Sequence, residues 1–394
     1  MSRIVVITTT YLRRPYANGV CAQHLVQALR KAGHFVNIVC FYDDYIPDHE
    51  KGLVYMVQHP QMREANASNW FKKTRKIAKA LFKPTFNNSL IEDYYSNTVQ
   101  CIEENQSDAV VAMFFPLEGF EVLRRIKKAK PSIKTIVYEL DSIGDGVVDH
   151  SFLQSIINRS FERWQNNSYK LVDGVIVMRS HKQYWEKTFG KNHSARLLIA
   201  DIPVLTQPPQ KERILHESVH IIYSGRIDSS FRSPVFLISV LFELKKRLNY
   251  DFYFYSEGDC EKLISEATEQ NASIHQCGYV CKEELEEALD DADFLINIGN
   301  KISNNVPSKL ISYMSYGKPI VHFYTQKGDV CLSYLEKYSL SLIIDESITV
   351  EEASEKLYSF IIKNKDKRIP FDAIEGAFPK TCPSYSARLI TSII

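Results

Sequence analysis

The run Asn304-Asn305-Val306-Pro307-Ser308-Lys309 leads into the periodic segment Leu310-Ile311-Ser312-Tyr313-Met314-Ser315-Tyr316, which stops at Gly317-Lys318-Pro319. This pattern predicts a loop feeding a helix. Pro307 suits the first helical turn, where its missing N–H costs nothing. Ser308 and its neighbours would then offer unpaired amides at the positive end of the helix dipole, an arrangement that attracts phosphate. Lys309 adds a full positive charge beside the same amides. A departing diphosphate needs such a charge as its bond breaks.

Other strand ends carry further candidates. Tyr223-Ser224-Gly225-Arg226 closes an apolar stretch, and Ser230-Phe231-Arg232-Ser233-Pro234 follows it. Arginine suits bidentate phosphate contact, and the position after a strand favours that role over a solvated surface group. Cys277-Gly278-Tyr279-Val280 reads as a turn after a strand, either structural or lining a ligand. In Tyr138-Glu139-Leu140-Asp141-Ser142-Ile143-Gly144-Asp145, Asp141 is placed either to orient hydroxyls or accept a proton, or to cap a helix. His24 and His181 fall in helix-like stretches and read as ordinary core or surface histidines.

The elements that must position these residues follow a β/α rhythm. Apolar residues 4–8, a helical pattern from Cys21 to Ala32 ended by Gly33, and Phe35 to Phe41 form a βαβ unit. Ala109 to Phe115, Thr135 to Leu140 and Gly174 to Met178 continue a mostly parallel sheet. Periodicity lapses near Ile199, and Pro203, Pro208 and Pro209 mark a linker. Strands then resume at His220 to Ser224, Asp251 to Ser256, Ser273 to Gln276, Phe294 to Ile298, Ile320 to Phe323 and Ser341 to Ile344. The expected organisation is α/β: a Rossmann-like domain over 1–205, a second over 206–378, and a C-terminal helix over 379–394 crossing back to the first. Ligands of doubly wound sheets bind at the carboxyl ends of the strands, which puts the expected site between the two domains.

Composition agrees. A chain of 394 residues exceeds what one core usually serves. A hydrophobic share of 45%, a charged share of 24% and a net charge of +1 exclude a disordered chain and a general nucleic-acid binder. The balance is uneven, however: residues 1–205 hold 27 Lys and Arg against 20 Asp and Glu, and the remainder 21 against 27. The eight cysteines form no CxxC pair, which predicts reduced thiols and neither disulfides nor a metal centre, even at the loose group Cys260, Cys277, Cys281 with His275. The apolar start is too short for a signal segment and no run is long enough to span a bilayer, so a cytoplasmic location is expected.

Taken together, these motifs resemble the retaining GT-B glycosyltransferases of the GT4-like kind, the group that includes bacterial polysaccharide-assembly enzymes. The likeness rests on Pro307-Ser308-Lys309 with Tyr313 and Gly317-Lys318-Pro319-Ile320, on Tyr223-Ser224-Gly225-Arg226, on Cys277-Gly278-Tyr279-Val280, and on Asn18-Gly19-Val20 as a glycine loop after the first strand. It implies two Rossmann-like domains and metal-independent hexosyl transfer from a nucleotide-sugar, UDP-linked by preference, to a glycan or lipid-linked acceptor in surface polysaccharide or glycoconjugate synthesis. It also implies that Arg226, Lys309 and Asp141 are catalytic. Gly19, Gly225, Arg232, Gly278, Tyr279, Val280, Asn304, Ser308 and Ser312 would contact the donor, and no cofactor or metal is implied. Asn304 and Ser312 stand where the family usually keeps two acids, a departure at the ribose contact. A sugar-nucleotide epimerase of the same fold and a non-catalytic nucleotide-sugar-binding subunit are the alternatives.

One segment points to a surface. In residues 70–83, Trp70, Phe71, Thr74, Ile77, Ala78, Leu81 and Phe82 share one helical face and lysines with Arg75 the other. Arg124, Arg125, Lys127 and Lys128 add charge in the same half. Such a helix lies on an anionic membrane, peripherally at its inner face, or packs with a solvated basic side.

Overall fold

The computed structural model describes residues 1–12, 17–58, 87–113, 116–140, 152–182, 185–186, 195–209, 216–300 and 307–394. It divides into two compact units, Met1–Val204 with Lys380–Ile394, and Leu205–Pro379. Asp141, Asn304 and residues 70–83 lie outside the described residues.

The first unit is built on β1 (Arg3–Ile7), β2 (Phe35–Phe41), β3 (Val54–Val57), β4 (Ala109–Ala112), β5 (Lys134–Glu139), β6 (Gly174–Met178) and β7 (Arg196–Ala200). They form one seven-stranded sheet in the order β3-β2-β1-β4-β5-β6-β7, and every pairing is parallel. Central strands β4 and β6 are buried at every residue, as a sheet covered on both faces requires. That is why they read as continuous apolar runs. The two strands that sequence periodicity misses, β3 and β7, are the edges, where only part of each strand is buried and the apolar signal weakens. Strand β7 ends at Ala200, and the two units divide between Val204 and Leu205.

Helices Asn88–Asn105 and Pro116–Ala129 pack on this sheet, burying Leu90, Ile91, Tyr94, Phe120, Leu123 and Ile126 against Val5, Ile7, Val110 and Val137. Helix Ala17–Lys31 ends through Gly33, whose φ is +88° and whose amide reaches the Arg30 carbonyl. Helix Pro383–Thr391 packs on Ala17–Lys31. Its Ser386 hydroxyl lies 2.9 Å from the buried Tyr138 hydroxyl, which also donates to the Asp201 carbonyl at 2.6 Å.

The second unit carries β8 (Val219–Ser224), β9 (Tyr250–Tyr255), β10 (Ile274–Gln276), β11 (Phe294–Ile298), β12 (Ile320–Tyr324) and β13 (Ser341–Asp345). Their order is β10-β9-β8-β11-β12-β13, all parallel, the doubly wound order with its switch between β8 and β11. Its core joins Tyr223, Leu237, Leu241, Phe252, Phe254, Phe294, Ile296, Phe323 and Leu357. Among the described residues of both units, no helix is long and apolar enough to cross a membrane.

Candidate functional site

At the carboxyl end of β8 the chain turns at Gly225, whose φ of +114° excludes most side chains. A Cβ there would also fall 2.8 Å from Lys309 Nζ. The glycine thus admits the lysine. Lys309, on the first turn of helix Ser308–Ser315, donates to the Tyr223 hydroxyl at 2.8 Å and the Ser224 carbonyl at 2.9 Å. Its ammonium also sits 4.1 Å from the centre of the Tyr223 ring. Burial, and then the charge of Arg232, hold its pKa well below the ordinary lysine value. The ammonium is folded onto the end of β8, where the Tyr223 hydroxyl and the Ser224 carbonyl hold it.

Tyr313 lies one helical turn beyond Lys309. Its hydroxyl accepts from the Ser224 amide at 2.7 Å and lies 2.9 Å from the Ser224 hydroxyl, locking strand end to helix. Burial pushes its own pKa up to about 12, so it stays a neutral phenol.

Arg232 is delivered by the loop that follows. Ile227 bridges Gly258, where any Cβ would lie 1.7 Å from the Ile227 carbonyl oxygen, so only glycine fits. The Asp259 carboxylate accepts from the Ser229 amide and hydroxyl at 2.8 and 2.6 Å, and the Arg232 amide reaches the Asp228 carbonyl at 2.6 Å. Arg232 then donates from Nη1 to the Arg226 carbonyl at 3.4 Å, while its Nε is buried with no hydrogen-bond partner. Among the described residues no carboxylate pairs with Arg226, Arg232 or Lys309. Two converging cations, one with an unsatisfied buried donor, describe a place for an anion.

The helix start adds to it. Pro307 is the N-cap residue, with φ −64° and ψ 125°, one position before the predicted one; no side chain caps the first amides and no acid sits in the first turn. Such a terminus binds anions. Behind the site, β11 and β12 contribute a buried group: the Asn297 amide 2.8 Å from His322 Nδ1, and His322 Nε2 3.2 Å from Asp329. Burial would raise the Asp329 pKa, but His322 and the Cys331 amide outweigh it and keep the carboxyl low.

The structure therefore brings together Gly225, Arg232, Ser308 and Lys309 of the predicted set. Arg226 contributes its carbonyl to the group while its side chain is exposed. Gly278, with φ +69°, Tyr279 and Val280 follow β10, two strands from β8, or about 10 Å at ordinary strand spacing. Tyr279 is 56% exposed. Ser312 donates within its own helix to the Ser308 carbonyl at 3.4 Å. Gly19 is corrected: it lies inside the first turn of helix Ala17–Lys31, not in a loop, because the helix starts four residues earlier than its apolar pattern does.

Gly258 and Asp259 escape sequence reading, and Tyr223 and Tyr313 enter it only as motif positions without a role. Tyr313 carried a usable signal, since position i+4 from Lys309 shares its face. Lys318 also does more than end a helix: its ammonium donates to the Leu289 carbonyl at 2.7 Å and to the Asp290 carbonyl, capping helix Lys282–Asp291. Cys260, Cys277 and Cys281 are all free thiols, and among the described residues they join no group with metal-ligand spacing.

No protein-family model matches the sequence, and no curated protein matches it. Solved structures do match. Sucrose-phosphate synthase from Thermosynechococcus elongatus superposes with a TM-score of 0.61 at 12% identity, over 100% of this chain and 95% of that one. WaaG, a glycosyltransferase involved in lipopolysaccharide biosynthesis, gives 0.56 at 15% identity over 98% and 99%. The UDP-GlcNAc 2-epimerase from Methanocaldococcus jannaschii gives 0.57 at 9% identity, over 99% of each chain. With two parallel sheets of seven and six strands aligned end to end with these proteins, the chain has the GT-B fold.

Proposed function

We propose that this chain is a glycosyltransferase, moving a hexosyl group from a nucleoside-diphosphate sugar, UDP-linked by preference, to a glycan or lipid-linked acceptor. The observation that carries the reading is the pair Arg232 and Lys309, converging without a carboxylate beside an uncapped helix start. As the bond from the sugar to the diphosphate breaks, negative charge gathers on the leaving phosphate. Arg232 Nε and Nη groups, the Lys309 ammonium and the first amides of helix Ser308–Ser315 are the donors within this unit that would receive it. Metal-independent transfer is part of the same proposal and rests on the sequence resemblance. Transfer with retention, work on surface polysaccharide, and attachment to an anionic membrane through residues 70–83 belong to the same proposal and rest on the sequence resemblance and the amphipathic pattern.

The fold likeness to a UDP-GlcNAc 2-epimerase supports a second reading, epimerisation of the nucleotide-sugar itself. One experiment separates the two. UDP-, GDP-, TDP- and CMP-sugars are screened by thermal shift, since a ligand that binds only the folded state raises the melting temperature. The responding donor is then followed by chromatography. Release of the nucleoside diphosphate that depends on Lys309 supports transfer, and an isomeric nucleotide-sugar supports epimerisation. Binding without either product marks a non-catalytic subunit, and no response to any donor overturns all three.

A further inference from the structure

The second unit carries another cluster of chemistry-bearing side chains, at the opposite end of its sheet. His216 precedes β8 and His220 lies on it, their rings stacked with centroids 3.6 Å apart and planes 19° from parallel. Both imidazoles point at one carboxylate: His216 Nε2 is 2.7 Å from Asp291 Oδ1, and His220 Nδ1 is 3.3 Å from Asp291 Oδ2. Among the described residues Asp291 hydrogen-bonds with these two imidazoles alone. We propose that His216, His220 and Asp291 form a binding site for one divalent transition-metal ion of the zinc class.

Ligand chemistry comes first. Two imidazole nitrogens and a carboxylate suit zinc and its neighbours, whereas magnesium and calcium demand oxygen ligands. The three ligand atoms lie within 4.8 Å of one another. A tetrahedral ion with bonds of about 2.0–2.1 Å separates its ligands by roughly 3.3 Å. The His220 contact already has that length, and the His216 contact needs to lengthen by about half an ångström. All three side chains are partly exposed, so an ion can enter and water can take the fourth position. Each imidazole gives up the proton it shares with the carboxylate and keeps one on its other nitrogen.

Local electrostatics also favour a cation. Asp291 is the last residue of helix Lys282–Asp291, whose carbonyl end is the negative pole of its dipole. Asp290 and Asp293 flank it, and Asp293 accepts from the His220 amide at 3.1 Å. Nearby Asp251 is already engaged by His275 at 2.8 Å and by Ser218. The nearby Lys318 ammonium is committed to the carbonyls of Leu289 and Asp290, and burial followed by the charge of Arg368 lowers its pKa to about 7. His220 stands five residues before Gly225, the turn that ends its strand, about 16 Å away at ordinary strand rise. An ion here therefore acts on structure: it clips residue 216 to the end of a helix 75 residues further along the chain.

The test is calorimetric titration of the full chain with zinc chloride, with magnesium chloride as the control. The expected result is saturable binding at one zinc ion per chain, no response to magnesium, and loss of zinc binding in the His216→Ala/His220→Ala double variant. Wild-type protein gives a second measurement that needs no variant: zinc should protect His216 and His220 from diethyl pyrocarbonate, as read by peptide mass spectrometry. Absence of stoichiometric zinc binding, equal modification of both histidines with and without zinc, or binding that survives the double variant and disappears in Cys331→Ser overturns the proposal. The last outcome would move the ion to the buried group His322, Asp329 and Cys331.

Discussion

Lys309 shares its surroundings with Arg232, and both lost hydration and the neighbouring guanidinium disfavour its ammonium form. A bound phosphate reverses that pressure by supplying the missing opposite charge. Replacing the lysine with Met keeps its length and removes the charge. Lys309→Met should therefore raise the melting temperature of the ligand-free protein at neutral pH, while abolishing the shift produced by a nucleotide-sugar. The two arginines should separate in the same assay. Arg232→Ala removes a half-buried guanidinium whose Nε is buried and should weaken donor binding by about 1.5–3 kcal/mol, or roughly 10- to 100-fold, whereas Arg226→Ala removes an exposed side chain and should change it little. Equal effects in a titration of the two variants would contradict the assignment. Sequence reading assigns Arg226 the catalytic part and Arg232 a donor contact, because the Gly258 contact that turns the loop leaves no local pattern.

At the scale of elements, Glu139 ends β5 within the sheet and illustrates what a sequence hides. It reads as one of two carboxylates at a strand end, yet its side chain is buried, with Oε1 accepting from Gln165 at 2.9 Å and from the Tyr169 hydroxyl. Burial outweighs these bonds and raises its pKa from 4.5 to about 7. Between those values the folded chain holds a proton that the unfolded chain has released. This contribution to stability is thus complete below pH 4.5 and is lost as pH rises through about 7. Glu139→Gln retains a carbonyl oxygen for both donors and should make the protein more stable than wild type at pH 8, with a flatter dependence between pH 5 and 8, as denaturant midpoints would measure. The opposite ranking at pH 8 would refute the upward shift of Glu139. Continuous apolar runs made the interior strands legible, β6 and β11 to the residue. Edge strands, glycine contacts and the partners of buried charges depend on distant residues and leave no local pattern.

The whole molecule is interleaved in sequence, since residues 380–394 return to the first unit after the second is complete. Gly174 leaves room for Ile393, whose Cδ1 would lie 2.3 Å from a Cβ there, and Arg196 donates to the Ser392 carbonyl at 2.9 Å. Removing residues 383–394 should speed amide exchange in helix Ala17–Lys31 and leave the exchange of β8 to β13 unchanged, which deuterium labelling with mass spectrometry can resolve. Synthesis from the amino end then has a particular course. The second unit, one unbroken stretch, can close on the ribosome as soon as Pro379 clears the exit tunnel. The first unit, begun earlier, waits with its helix Ala17–Lys31 uncovered until residues 383–394 have followed the whole second unit out of the ribosome.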